Sequence, residues 1–338
     1  MKLNKTELQK ALEIVKPGLA SKEMIEQSTS FAFIAGRVVT YNDEISLSHP
    51  VSGLEIEGVI QAEELYQLLS KIKKDEIEII IQDNEIILQV GRSKAGLTLK
   101  QEIKLPLEEI GEQKAWKKLP DDFLHFMKFA MTSCGKDMSR PVLTCVHVTK
   151  EGFIESSDSL RITQCELGEK MPFGPFLIPV SSVRELVKLK PTKIAEGEGW
   201  IHFQTEEGSI MSCRIFEDKF PEVTPHLAVE GIEINFPKTT EDVLDRAGVF
   251  SKRDHFLDEE VLITLANNRI KVKSQSESGW FEEEINFAYK DDPITFSISP
   301  YLLKDILKET SSCILGEDRL KFEGAGWAYI TILREVSK

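Results

Sequence analysis

Between Gly58 and Ile81 the chain reads GVIQAEELYQLLSKIKKDEIEIII. A short apolar run comes first. Leu65, Leu68, Leu69 and Ile72 then recur at the spacing of one helix face, and a second apolar run follows. The pattern predicts strand, amphipathic helix, strand. Much the same unit returns from Phe176 (FLIPVSSVRELVKLKPTKIAEGEGWIHFQ) and again from Ile294 (ITFSISPYLLKDILKETSSCILGEDRLKFEG). The helix starts align at Ala62, Val180 and Ser299, steps of 118 and 119 residues. A fixed period of this kind divides the chain into thirds and takes precedence over residue-level guesses about fold.

The remaining pattern fills each third in the same way. A helix is predicted over Lys5–Lys16, with Leu8, Leu12 and Val15 on one side and Pro17-Gly18 as its stop. Its counterparts are Phe123–Ser133, with Asp121 and Asp122 placed for the N-terminal dipole, and a helix from Thr239 to about Lys252. Strand-like runs in the first third are Ser30–Ile34, Arg37–Tyr41, Ile45–Ser48, Glu55–Val59, Glu76–Gln82, Glu85–Val90 and Gly96–Leu99. In the middle third they include Val142–Thr149, Gly152–Ser156, Ser159–Glu166, Trp200–Thr205 and Ser209–Phe216. The last third has Val261–Leu265, Arg269–Ser274, Phe281–Tyr289, Leu320–Glu323 and Trp327–Leu333. Asp83-Asn84 and Asn267-Asn268 are hairpin signals. A finer repeat sets Arg37–Leu47 beside Gly152–Ile162, each with an Asp at the turn between two strands. Helix, strands, helix, strands, three times over, is an α+β fold with helices on one face of antiparallel sheets. The expected domains are 1–115, 116–225 and 226–338.

Composition narrows the class. A hydrophobic fraction of 41% in 338 residues suits two or three globular domains. No run approaches the ~18 apolar residues of a membrane span, and the N-terminus lacks a secretion signal's apolar stretch, so a cytoplasmic protein is expected. Cys134, Cys145, Cys165, Cys213 and Cys313 are widely spaced and never form a CxxC pair, which fits free thiols and no zinc site. The net charge of −14 argues against a conventional nucleic-acid binder. Its distribution qualifies that: the predicted helices carry more bases than acids, and the acid excess lies in strands and loops. Two explanations stand: complementing helix dipoles, or a helical face that meets phosphate.

No constellation points to catalysis. His49, His125, His147, His202, His226 and His255 show no metal-ligand spacing, and Gly197-Glu198-Gly199 and Gly324-Ala325-Gly326 lack the Lys-Ser/Thr of a phosphate loop. Glu282, Glu283 and Glu284 would alternate faces on a strand. The expectation is a non-enzyme with no cofactor and no metal.

Four segments, in order on the threefold repeat, resemble the bacterial sliding DNA clamp, the beta subunit of DNA polymerase III. Cys213-Arg214-Ile215-Phe216-Glu217-Asp218-Lys219-Phe220-Pro221-Glu222-Val223 is similar to the family's Arg-Leu-Ile-x-Gly-x-Phe-Pro-Asp-Tyr signature. Arg140-Pro141-Val142-Leu143, Gly91-Arg92-Ser93-Lys94 and Gly279-Trp280-Phe281-Glu282-Glu283-Glu284-Ile285 fall where that family has related pieces. The resemblance covers essentially the whole chain.

It implies three clamp domains per chain and a ring closed by two chains head to tail. Duplex DNA would be encircled without sequence preference, and a polymerase and a clamp loader would be bound through short peptides. Leu97, Leu99, Ile285 and Phe287 become candidates for the dimer interface, although the period-2 pattern also allows them to face their own cores. Lys22, Lys71, Lys73, Lys74, Lys136, Lys188 and Arg246 become candidates for DNA contact, with an ordinary exposed lysine as the alternative for Lys22. The partner-peptide cleft carries over onto Arg140, Leu143, Ser157, Leu160, Arg161, Ile162, Val261, Tyr329, Ile330, Thr331, Ile332, Leu333 and Arg334. Core packing is the alternative for its apolar members. Ser157-Asp158-Ser159-Leu160-Arg161-Ile162 departs from the family's Thr-Asp-Gly-His-Arg-Leu, and Thr331-Ile332-Leu333-Arg334, followed by Glu335–Lys338, departs from its Met-Pro-Met-Arg ending. Such changes would suit a diverged or phage-encoded clamp with its own peptide preference. The competing reading is a clamp-fold interaction module that does not encircle DNA.

Overall fold

The computed structural model describes residues 1–111, 113, 115–253 and 258–334. They form two compact units. The first contains Met1–Met131, Cys145–Gly152 and Glu169–Lys219; the second contains Thr132–Thr144, Phe153–Gly168 and the chain from Phe220 onward.

In the first unit, helix α1 (Lys5–Val15) begins where the Asn4 side chain accepts from the Glu7 N–H at 3.0 Å, filling one of the orphan donors of the first turn. Leu8, Ala11, Leu12 and Val15 form its buried stripe. At its end the Thr40 hydroxyl donates to the Val15 carbonyl, and a 3₁₀ turn, Lys16–Gly18, closes the element. Helix α2 (Ala62–Lys71) starts at the residue the repeat predicts and buries Ala62, Leu65 and Leu69. Helix α3 (Phe123–Ala130) is shorter than its pattern, since Met131–Ser133 tightens into a 3₁₀ turn. Helix α4 (Val180–Leu189) ends on Lys190 in the left-handed region.

Two antiparallel sheets carry these helices. One has the order Lys2–Asn4, Glu76–Gln82, Glu85–Val90, Ser93–Thr98. The other runs Gly58–Gln61, Ser30–Ile34, Arg37–Tyr41, Ile45–Pro50, Ile210–Arg214, Trp200–Gln204, Lys193–Glu196, Lys117–Lys118. Its seam pairs Ile45 with Cys213 and Leu47 with Met211, so strands far apart in sequence share one sheet. Phe31, Phe33, Tyr41, Trp200 and Phe203 fill its core, and Phe123 of α3 lies 6.0 Å from the Phe203 ring. Burying each such side chain stabilises by about 1.5–3 kcal/mol.

The second unit holds α5 (Thr240–Ser251) and α6 (Pro300–Leu307), the latter with Ser299 as its N-cap residue. A four-stranded sheet has the order Gly279–Asn286, Arg269–Ser276, Val261–Ala266, Ile294–Ile298. A second run of strands is Phe153–Ser157, Arg161–Glu166, Trp327–Ile332, Arg319–Gly324, Ser312–Leu315, Ile232–Asn235. Here a strand from the middle of the chain pairs with one near its end, Ile162 opposite Ile330.

Several boundaries differ from the pattern for local reasons. The run expected from Val142 opens as a 3₁₀ turn, Pro141–Thr144, and only Cys145–Val148 is strand; proline has no N–H for a ladder. The strand expected at Glu55–Val59 is Gly58–Gln61. Gly58 has φ +128° and a Cβ there would lie 2.6 Å from the Lys100 carbonyl, so the bend needs glycine. Asn267 and Asn268 both take positive φ, the requirement of a tight two-residue hairpin. At the repeated turn, Asn42 and Asp158 occupy the same role: each side-chain oxygen accepts from two backbone N–H groups, and the next residue (Asp43, Ser159) has φ 74°. The turn residue expected in the first copy was Asp43; the amide of Asn42 does that work.

All five cysteines are buried, and no disulfide joins any two of them among the described residues. Burial pushes the thiols of Cys165, Cys213 and Cys313 up, away from reactive thiolate. Among the described residues no helix is long and apolar enough to cross a membrane.

Candidate functional site

The second unit contains a cleft of about 370 Å³. Its base is the hairpin Phe153–Ser157/Arg161–Glu166 and the strand Trp327–Ile332. Asp158 organises the turn: Oδ1 accepts from the Leu160 and Arg161 N–H groups at 3.1 and 3.0 Å, and Oδ2 accepts from Arg161 Nε at 2.9 Å. Arg161 donates further to the Thr132 carbonyl and to Asp305 Oδ2, the latter at 3.4 Å. Its side chain is only 3% exposed, so the guanidinium is a brace beneath the cleft with its fork fully directed. Ser157 donates to the Arg161 carbonyl, and Arg140, which is exposed, reaches Ser159 Oγ at 3.1 Å.

Leu143, Leu160, Ile162, Ile330 and Ile332 supply the apolar lining, with Ile332 still 39% exposed. The structure thus brings together Arg140, Leu143, Ser157, Leu160, Arg161, Ile162, Ile330 and Ile332. It separates the others. On Trp327–Ile332 side chains alternate, so Tyr329 and Thr331 point away from the cleft and are buried. Burial pushes the Tyr329 phenol up. Val261 is 1% exposed on a core-facing strand position opposite Ile298. Leu333 and Arg334 lie past the strand; Arg334 Nη1 donates to the Asp258 carbonyl and the side chain sits 3.7 Å from Glu260. Glu335–Lys338 lie outside the described residues.

Pro221, Glu222, Val223, His226 and Arg319 also line the cleft and were missed. Phe220 and Val223 are buried and anchor that segment. Arg319 could have been found from its hairpin, since it pairs with Ile332.

The candidate cations fall into two groups. Lys22, Lys71, Lys73 and Lys74 are exposed in the first unit, and none has a carboxylate within ion-pair distance among the described residues. Lys188 bonds Glu185 at 2.8 Å. In the second unit, Lys136 is exposed, and Arg246 of α5 forms a two-pronged bond to Glu283 with both contacts at 2.8 Å. Hydrogen bonding to Glu283 raises the Arg246 pKa.

Of the candidate interface residues, Leu97 and Ile285 are half-buried on the edge strands Ser93–Thr98 and Gly279–Asn286. Leu99 and Phe287 are not available in the same way. Leu99 is 2% exposed beside Gly58, and Phe287, 8% exposed, stacks on Tyr289 at 5.9 Å; both side chains belong to their own cores. Two exposed side chains near the second edge were not singled out: Val249 on α5 at 58% and Trp280 at 70%.

No protein-family model matches the sequence, and no curated protein does. The fold does find relatives. The DNA polymerase III subunit beta of Pseudomonas aeruginosa superposes with a TM-score of 0.86 at 16% identity, over 99% of this chain and 100% of that one. The beta chain of Streptococcus pneumoniae gives 0.86 at 20% identity, over 99% of both chains. The sliding clamp of Bartonella birtlesii, solved with griselimycin bound, gives 0.87 at 14% identity, again over 99% of both. The chain has the bacterial sliding-clamp fold.

Proposed function

We propose that this chain is a DNA sliding clamp: three clamp domains per chain, two chains in a head-to-tail ring, duplex DNA passing through it. The single observation carrying this reading is the whole-chain clamp fold, with TM-scores of 0.82–0.87 against clamps of several bacteria. In this reading the exposed edge of Ser93–Thr98 pairs with Gly279–Asn286 of a second copy, which resolves two unpaired sheet edges at once. Weak phosphate attraction suffices, because topology holds the duplex and a tight grip would oppose sliding. The cleft of Leu143, Ile162 and Ile332 takes apolar side chains of a peptide from a polymerase or clamp loader, with Arg140 at its rim. The protein works in the cytoplasm as a processivity factor, with no cofactor and no chemistry of its own.

The deciding experiment loads the protein onto circular DNA and then linearises it. Retention on the circle and loss from the linear form is the expected result. Equal loss from both would favour a clamp-fold module that does not encircle DNA. In solution the mass should be twice 38.3 kDa. Leu143→Ala should weaken binding of a polymerase-derived peptide by about tenfold while leaving that mass unchanged.

A further inference from the structure

Trp280 is 70% exposed and stands on Gly279–Asn286, an edge strand with no neighbour on its outer side among the described residues. Tryptophan is enriched among the few side chains that carry an interface. The other edge strand, Ser93–Thr98, is small in side chain where this one is large.

Two independent observations fix which positions of these edges can meet. The first is the faces. Ala95 and Leu97 lie opposite the buried Leu88 and Ile86, and Phe281 and Glu283 lie opposite the buried Ser274 and Val272. A sheet continued with its cores on one side therefore sets odd-numbered residues against odd. The second is the backbone. The Leu99 N–H donates to the Asn84 carbonyl at 2.7 Å, and the Phe287 N–H to the Asn268 carbonyl at 3.0 Å. By the alternation of an antiparallel ladder, odd-numbered residues of both strands use their backbone groups inside their own sheets, and even-numbered residues point theirs outward. Even then meets even across the edge, the same parity.

Within that parity one alignment fits at every step. Ala95 against Phe281 sets Lys94 against Glu282, Gly96 against Trp280 and Leu97 against Gly279. Large faces small three times running, and a cation faces an acid. Gly279 leaves the Phe250 ring uncovered, since a Cβ there would lie 3.0 Å from it, so Leu97 gains an apolar surface. A slide of two residues is the least that keeps the faces. In one direction it sets Leu97 on Phe281 and Trp280 on Thr98, bulk on bulk. In the other it sets Lys94 on Trp280 and leaves Glu282 without its cation.

The geometry points to a second copy of this chain as the partner of Trp280, with the indole laid over Gly96 of that copy in the register just given. The inference rests on the ring reading and adds to it the register and the anchor. An aromatic ring across a glycine of the next strand offsets the weakness that glycine brings to a sheet. Ile80 and Ile87 stand in one row with Gly96 and extend the apolar floor. In the single chain the Glu85 side chain lies over Gly96; it is exposed, in no ion pair among the described residues, and flexible enough to swing aside. Lys94 against Glu282 continues the alternation of sign that Lys271 and Lys273 begin.

Disulfide trapping on the full chain reads the register directly. The native cysteines are buried, so introduced pairs react first. Under mild oxidation Ala95→Cys with Phe281→Cys should give a covalent dimer. Leu97→Cys with Phe281→Cys, and Ser93→Cys with Phe281→Cys, report the two slides and should trap about tenfold less, because diagonal positions lie too far apart for the bond. Sedimentation over a concentration series is the second measurement. Trp280→Ala should raise the dimer Kd at least about 30-fold, with thermal unfolding of each unit unchanged. Met24→Ala removes a side chain that is 90% exposed and should leave the Kd as it is.

A wild-type Kd from Trp280→Ala overturns this inference and leaves the ring reading standing. So does trapping that favours either slid pair, or no trapping in a chain that still dimerises. A wild-type chain that is monomeric at micromolar concentration, and is lost equally from circular and linear DNA, overturns both.

Discussion

At the end of α2, Lys71, Lys73 and Lys74 stand exposed, and neither they nor Lys22 has a carboxylate partner among the described residues. On α5 and α6 the positive charges are committed: Arg246 to Glu283, Lys304 to Asp245, Lys308 to Asp305. Deeper in the same unit Arg161 is held by Asp158 and Asp305. Across its outer sheet Lys271 and Lys273 meet Glu282, and Arg269 lies 3.9 Å from Glu284. The same residue types thus serve two ends. In the second unit cations hold elements to one another; around α2 they are available to something outside the chain. Removing a cation should then cost the fold in one place and DNA attraction in the other.

The largest effect belongs to Arg161. Arg161→Ala strips the buried Asp158 of its counter-charge and should destabilise the second unit by about 3–5 kcal/mol. Arg161→Lys should restore little, because one ammonium cannot reach Asp158, Asp305 and the Thr132 carbonyl together. Amide exchange in Arg161–Glu166 under rising urea would show it; a loss below about 1 kcal/mol would mean the brace is not structural.

Next comes a pH effect confined to the first unit. His202 is fully buried, its Nδ1 is 2.8 Å from Ser212 Oγ, and its Nε2 has no hydrogen-bond partner among the described residues. Burial lowers its pKa from 6.5 to about 4. Above pH 6.5 the ring is neutral in folded and unfolded chains alike, and its contribution is fully present. As pH falls toward 4 the unfolded chain takes up the proton first, so stability drains away, by about 3 kcal/mol in all. His202→Leu should flatten that part of the profile when exchange is followed in Trp200–Gln204. An unchanged profile would place the acid sensitivity elsewhere.

The third expectation concerns the unpaired lysines. Lys71→Ala, Lys73→Ala and Lys74→Ala together should leave thermal unfolding unchanged, weaken duplex binding about 10- to 100-fold at low salt and lower the salt slope by about 3. A destabilised fold with intact binding would reverse the roles assigned to the two groups.

How these roles could be read from sequence differs by scale. The helix starts Ala62 and Val180, and the cap Ser299 ahead of Pro300, were legible because burial of one helix face imposes a period that substitutions preserve. The cleft was legible only through resemblance, and only in part. Ile330 and Ile332 face it while Tyr329 and Thr331 do not, and an alternating strand carries no mark of which face is which. Whether a cation is free or paired was not legible at all. Arg246 and Glu283 are 37 residues apart, and nothing local in either segment says that they meet. Pairing is a property of register between α5 and the edge strand, fixed only once Arg269–Ser276 aligns with Gly279–Asn286.

That pairing yields the smallest and most discriminating effect. Glu283→Gln keeps the side chain's shape and removes its charge, leaving Arg246 with a neutral partner on an exposed surface. The fold should barely respond, since exposed ion pairs contribute little. If Arg246 faces duplex DNA, the freed guanidinium should raise affinity about two- to fivefold and steepen the salt slope by about 1. Glu241→Gln, an acid on the same helix with no ion pair among the described residues, changes net charge equally and serves as the comparison. Equal gains from both substitutions would mean that total charge alone sets the attraction and that Arg246 has no special place. A gain from Glu283→Gln alone, abolished by adding Arg246→Ala, would show that this cation is held in reserve by its own edge strand.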